Sequence, residues 1–342
     1  MLKRRTVPAL MIVVLGLAWT LSVHQPASAQ TIKLTYSNFF PPAHVQSQLA
    51  DAWCKEVNKR TNGRVQIDYF AGQTLTKAQQ NYDGVVSGLS DIGFSVLAYT
   101  RGRFPVMAAV DLPLGYQNGK VATMVVNEVY SKFMPKELQD TQVMYLHAHG
   151  PGLVFTKEKA VRKLEDMKGL KFRAHGTSAE VAEALGGTPV PKPMPETYEM
   201  LQKGVVDGAL YPLEAAKGWK LGEVTKYGAL DFAAAYTTSF YVVMNKSKWN
   251  SLPPDIQKII SEINKEWVVK HGQAWIDSDE EGKQFFQSKG GQLISLDAKE
   301  MERWKKAVAP ILDAYAESMK KQGINGKEIV DFTVKRVEEL QK

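Results

Sequence analysis

The chain has 342 residues, 44% hydrophobic and 23% charged, with 43 Lys and Arg against 36 Asp and Glu and a single cysteine. That length exceeds what one hydrophobic core usually supports, which predicts two lobes, and a lone cysteine excludes an intrachain disulfide framework. The formal charge of +7 includes no Lys/Arg block interleaved with aromatics, so it carries no nucleic-acid footprint and only weakly favours capture of an anion.

The amino terminus reads as an export leader. Lys3, Arg4 and Arg5 precede an apolar stretch from Val7 to Val23, which closes on Ala27-Ser28-Ala29, the small-x-small pattern that signal peptidase accepts. Residues 1–29 are expected to be removed after Ala29, leaving a mature chain that starts at Gln30 in the periplasm. An uncleaved anchor is the competing reading. Against it, the run is at the short limit for a membrane span, Pro8 sits at its start and a cleavage site follows. Without the leader, 40 cationic and 36 acidic side chains leave a net +4 over 313 residues. Cys54 lies well past the leader, so no lipid-modified cysteine tethers the chain.

The mature chain opens with Ile32-Lys33-Leu34-Thr35-Tyr36, whose period-two alternation predicts a strand broken by Pro41-Pro42. Val45, Leu49, Trp53 and Val57 then mark one face of a helix that ends at Asn62-Gly63. A strand through Val65, Ile67 and Tyr69, a helix from Thr76 to Leu89 and a strand from Ile92 to Ser95 follow, an order that predicts an α/β sheet. The middle of the chain repeats the logic. Strands are expected at 143–148, 169–173 and 206–211, with helices at 178–185 and 196–203. The segment Asp83 to Gly93 resembles Leu201 to Gly208: each is a helix ending at a glycine, then a strand led by an aspartate. Two such units suggest two lobes of related architecture, although chance similarity accounts for this feature equally well. Pro253-Pro254 starts a long helix striped by Ile256, Ile259, Ile260, Ile263 and Trp267, reaching towards Lys289 and long enough to brace both lobes. A strand at Leu293-Ile294 and helices at 298–320 and 326–341 complete the chain.

Signatures of catalysis are missing. Neither a phosphate-binding G-x-x-x-x-G-K-[ST] nor a G-x-S-x-G elbow occurs. His147 and His149 share a strand face but have no acidic or cysteine partner at ligand spacing, so they read as polar residues facing a cleft and no metal or other cofactor is expected. Cys54, beside Trp53 on an amphipathic helix, reads as packed rather than reactive. In Gly169 to Gly176, alternation puts Lys171, Arg173 and His175 on one face and Leu170, Phe172 and Ala174 on the other. An arginine at the carboxyl end of a strand can present its planar fork to a carboxylate where ligands of open α/β sheets bind. Taken alone, the pattern favours an arginine with a routine surface partner.

The chain resembles the extracytoplasmic solute receptors of TRAP (tripartite ATP-independent periplasmic) transporters over nearly all of the mature sequence. The motifs are Phe70-Ala71-Gly72-Gln73, Gly88 to Phe94, Glu165 to Arg173, Leu201 to Gly208 followed by Pro212, and Leu252 to Lys258, in the family's order. The resemblance implies a two-lobed α/β fold of the periplasmic-binding-protein kind, hinged and braced by a long helix. It implies lobe one at 30–149 plus about 238–277, and lobe two at 150–237 plus about 278–342. It also implies a receptor rather than an enzyme, with a small organic acid as ligand and membrane permease subunits as partners.

The family's ligand-clamping arginine falls on Arg173, which reverses the surface reading above. By the same comparison Phe94 and Ser95 in lobe one and Met194 in lobe two are pocket residues, with Phe39, His44, His149 and Trp219 as further candidates. Two departures bear on the ligand. Many members have an asparagine where this chain has Tyr211, and some have a second arginine where it has Pro151-Gly152. One cation, apolar Phe94, Met194 and Tyr211, and one tyrosine hydroxyl together imply a monocarboxylate with an apolar or aromatic body, not a sugar acid or a C4-dicarboxylate. The histidines could still supply a second positive charge if protonated. Alternatives are a subunit presenting ligand to a membrane receptor kinase, an exported enzyme on this fold, and Arg173 as a stability salt bridge. The enzyme would need a paired acid and base that the sequence does not offer.

Overall fold

A computed structural model describes residues 31–342; the expected leader and its cleavage site lie outside the described residues. In chain order the elements are β1 (Ile32–Asn38), α1 (Val45–Arg60), β2 (Val65–Phe70), α2 (Asn81–Val86), β3 (Ile92–Val96), α3 (Gly119–Phe133) and β4 (Thr141–Ala148). There follow β5 (Leu153–Thr156), β6 (Lys171–Ala174), α4 (Thr177–Ala184), β7 (Thr188–Pro191), α5 (Thr197–Gln202), β8 (Gly208–Tyr211), α6 (Ala215–Gly218) and β9 (Tyr227–Leu230). The chain finishes with β10 (Ser239–Asn245), α7 (Lys246–Ser251), α8 (Pro254–Ser288), β11 (Gln292–Ser295), α9 (Ala298–Val308), α10 (Pro310–Lys321) and α11 (Gly326–Leu340).

Two mixed sheets result, ordered β2-β1-β3-β10-β4 and β11-β9-β5-β8-β6-β7. Each has one strand that came from the other side of the molecule. After β9, in the second sheet, β10 returns to lie antiparallel between β3 and β4, and β5, arriving from β4, lies antiparallel between β8 and β9. The two crossings run side by side. His149 N–H donates to Thr238 O at 3.4 Å, Gly152 N–H to Tyr236 O at 2.8 Å, and the Thr237 hydroxyl to His149 O at 2.7 Å. A short antiparallel ribbon therefore connects the sheets. The 35-residue α8 lies across both, against α1, α3 and β4 on one side and α6 and β11 on the other. Its Trp275 is fully buried, and its Nε1 donates to His147 Nδ1 at 3.0 Å.

Sequence logic explains the individual elements. In α1 the buried Trp53 and Val57 face the first sheet, His44 Nδ1 caps the start by accepting from Gln46 N–H, and the helix stops before Asn62 and Gly63, both at positive φ. Cys54 is buried here, and burial pushes its thiol well above the ordinary range. The two helix-to-strand units end alike. Gly88 and Gly204 have φ of 79° and 70°, each N–H bonds back to the third carbonyl before it, and the strands that follow, β3 and β8, belong to different sheets.

Several boundaries differ from the sequence expectations. Thr76–Leu89 is a 3₁₀ turn at Ala78–Gln80 followed by the short α2. The expected helix over 298–320 is divided at Pro310, which takes the first position of α10 because it has no N–H to continue the preceding helix. The last helix, α11, packs on both α10 and α3, with Ile329 and Val330 in the cluster around Met319 and Val337 in the cluster around Val121 and Val125. Four strands, β5, β7, β9 and β10, were not expected. They are short or, like β10, buried on both faces, so they show no alternation.

Candidate ligand-binding site

The cleft lies between the sheets at the connecting ribbon. Its first wall is Phe39 and Phe40, in the turn after β1, with Val96 at the end of β3 and Tyr99 in the 3₁₀ turn that follows it. Arg173 and His175 at the end of β6, Met194 after β7, and Leu210, Tyr211, Pro212, Glu214 and Trp219 at and beyond β8 form the second. His149, Tyr236, Thr238 and Phe240 close its base. The empty volume is about 350 Å³ with the open mouth included. Aromatic rings dominate. Phe39 stacks on Trp219 at 5.9 Å and on Phe240 at 6.4 Å, so the two walls already touch. Met194 N–H also donates to the Tyr99 hydroxyl across the cleft at 2.9 Å.

Arg173 is 1% exposed. Its Nε donates to Lys192 O at 2.8 Å, Nη2 has no partner, and no carboxylate among the described residues lies within 4.0 Å of its guanidinium. A cation this deep and this poorly satisfied is unfavourable unless an anion joins it. The neighbouring imidazoles do not add charge. Burial, reinforced by Arg173, lowers His149 to about 4, and the same causes hold His175 well below its ordinary value, so both are neutral near pH 7. His149 Nδ1 donates to Gly150 O at 2.6 Å, the role left to a neutral ring.

Glu214, 4% exposed, is the acidic group of the cleft. Its carboxylate lies 3.0 Å from His44 Nε2, with the ring N–H poorly directed at it, and its backbone N–H donates to Asp279 Oδ1 on α8 at 2.9 Å.

Of the residues expected from sequence, Arg173, Tyr211, Met194, Phe39, His149 and Trp219 converge on this cleft. His44 stands behind the Trp219 ring, 5.7 Å between centroids, as the partner of Glu214. Phe94 and Ser95 do not line the cavity. Phe94 is core behind it, packed edge-on against His147 and His271, and the Ser95 hydroxyl, on the opposite face of β3, donates to Ala78 O at 2.7 Å. Tyr211 contributes only its ring, because its hydroxyl is bonded to Thr225 Oγ1 at 2.8 Å and it stacks on Phe155 at 4.0 Å. His147 also misses the cleft, being buried and stacked on His271 at 4.2 Å. A Cβ at Gly152 would meet the Tyr236 ring at 2.3 Å, so packing leaves no room for a side chain at this position. Tyr99, Glu214, Tyr236 and Phe240 were not anticipated, and none belongs to a motif that could have flagged it.

The family profile described as bacterial extracellular solute-binding protein, family 7 (DctP), matches residues 36–319. A TRAP solute-binding protein from Rhodoferax ferrireducens T118, in complex with copurified benzoate, is 29% identical with a TM-score of 0.86, over 90% of this chain and 98% of its own. A marine-metagenome TRAP solute-binding protein specific for aromatic acid ligands, from an unidentified microbe and in complex with metahydroxyphenylacetate, is 27% identical with a TM-score of 0.87, over 91% and 100%. The C4-dicarboxylate-binding periplasmic protein DctP of Rhodobacter capsulatus is 24% identical over 326 residues, 93% of this chain and 95% of its own. The profile spans both sheets and the brace helix, and the chain belongs to family 7 of the bacterial extracellular solute-binding proteins, the solute receptors of TRAP transporters.

Proposed function

We propose that this receptor captures a small monocarboxylate with an aromatic or branched apolar body outside the cytoplasmic membrane and hands it to a TRAP-type permease. One observation carries the reading: Arg173 is buried with an unpartnered Nη2 and, among the described residues, no carboxylate within 4.0 Å of its guanidinium. A ligand carboxylate would supply the missing acceptors, and the ring-lined wall would reward an apolar body at about 25 cal/mol per Å² buried. A second ligand carboxylate would find no cation, because His149 and His175 are neutral and Gly152 is packed shut. That argument favours the aromatic acids bound by the two solved relatives over the C4-dicarboxylates of the Rhodobacter capsulatus protein.

In this reading the two sheets and their helices are lobes that close on the ligand, with 149–152 and 231–238 as hinge. Export would follow the leader, and an intact mass of periplasmic material that retained residues 1–29 would contradict it. The ligand class is tested by thermal-shift screening of the purified mature protein against organic acids. A ligand at a hundred times its Kd adds about 2.7 kcal/mol. Benzoate, hydroxybenzoates and branched 2-oxo acids are expected to stabilise most. If succinate, malate or a sugar acid gave the largest shift while these were silent, the reading would fail.

A further inference from the structure

Arg173 and Glu214 line one cavity, both almost fully buried, yet they are not paired with each other. Different elements hold each of them. Arg173 is tied through Nε to Lys192 O, just past β7, whereas Glu214 lies past β8, anchored to Asp279 on α8 and to His44. In the order β8-β6-β7 these anchors fall on opposite sides of the strand that carries Arg173. The Glu214 arrangement is built. A Cβ on Gly218 would lie 2.6 Å from His44 Nε2 and 2.8 Å from Glu214 Oε2, so only glycine admits the pair. His44 Nδ1 already accepts the Gln46 N–H at 3.2 Å, which leaves the imidazole proton on Nε2, 3.0 Å from Glu214 Oε2 but poorly directed at it. Among the described residues neither carboxylate oxygen of Glu214 receives a hydrogen bond, and an ionised carboxylate can only accept.

We infer that Glu214 determines ligand selectivity. It accepts a hydrogen bond from a hydroxyl or amino donor on the ligand end remote from the carboxylate, and it repels a second carboxylate there. The inference rests on the reading of the cleft as a site for aromatic monocarboxylates and narrows it to acids with a distal donor. It also accounts for two opposite charges being kept apart in a space of poor solvation: each end of the ligand completes one of them.

The experiment is titration calorimetry of the mature receptor and its Glu214→Gln variant with benzoate, 3- and 4-hydroxybenzoate, 3- and 4-aminobenzoate, isophthalate and terephthalate. Gln keeps the shape and the contact with His44 while removing the charge. In the wild type, at least one hydroxy or amino acid is expected to bind about tenfold or more tighter than benzoate, as for hydrogen bonds to charged groups. The hydroxy and amino arms identify which donor is used. In the variant that advantage should fall at least about threefold, and the two dicarboxylates should gain at least about tenfold relative to benzoate. Unchanged ratios in the variant would overturn the role of Glu214 while leaving the monocarboxylate reading intact. Wild-type protein that bound isophthalate or terephthalate as tightly as benzoate would overturn it without any variant. A wild type that responded to none of these acids would overturn both the inference and the reading beneath it.

Discussion

Replacing Arg173 by Met should weaken ligand binding without weakening the empty protein, a pairing that a structural arginine would not produce. Met keeps much of the length and apolar stem while removing the charge. On the ligand side, truncating one partner of a buried, hydrogen-bonded charge pair costs about 2–5 kcal/mol, so affinity for benzoate should fall at least about 30-fold. On the side of the free protein, Arg173 is 1% exposed, holds one bond to Lys192 O and leaves Nη2 without a partner. Burying an ion costs several kcal/mol, and the single charged hydrogen bond returns about 1.5–3 kcal/mol. Removing both should leave the empty protein unchanged or more stable by up to about 2 kcal/mol, which at this size is a rise of up to about 4 °C in Tm. Calorimetric melting of ligand-free protein and isothermal titration with benzoate read the two sides separately. Arg173→Lys should fall between, since it keeps the charge and loses the planar fork. If the ligand-free Met variant melted several degrees lower, or bound within threefold of wild type, Arg173 would be a structural residue and the site reasoning would fail.

Three further outcomes are expected. Tyr211→Phe should lose the bond to Thr225, about 1 kcal/mol of stability by urea unfolding, while its benzoate affinity stays within twofold; a large loss of affinity would return the hydroxyl to the ligand site. Gly152→Ala forces a Cβ against the Tyr236 ring at 2.3 Å and should cost about 1–3 kcal/mol, measurable as a lower Tm; an unchanged melt would show that the ribbon yields freely. His149 titrates near 4 in the folded protein, below the ordinary 6.5, so its contribution is full above about pH 6.5 and is lost as pH falls towards 4, ~3 kcal/mol in all. His149→Gln should therefore show a shallower loss of stability over that interval than wild type, and parallel urea-stability curves would contradict the buried neutral imidazole.

Local features of this protein were legible in the chain itself. β1, α1, β2 and β3 followed from the spacing of apolar residues, and the long α8 from its proline start and its isoleucine stripe. Arg173 could be read as a cleft residue because strand alternation, a following glycine turn and the family motif agreed on it. Other elements were missed, among them α3, although its buried Val121, Val125 and Val129 repeat at helical spacing. β10 is buried on both faces, and the break before α10 was passed over although Pro310 marks it.

The cleft itself was decided by tertiary structure. Its lining comes from positions between Phe39 and Phe240, brought together where β4–β5 and β9–β10 cross between sheets. Whether Tyr211 offers a hydroxyl depends on Thr225 fourteen residues on, and whether residue 152 can carry a side chain depends on Tyr236. Glu214 is one of 36 acidic residues in the chain, and only its burial, its contact with His44 and its separation from Arg173 distinguish it. Periodicity records which face of an element is apolar, because that is set by neighbours three or four residues away in a helix and two away in a strand. Which loops meet, and which polar groups are left unsatisfied where they do, depends on contacts between distant residues, so only the folded chain determines it.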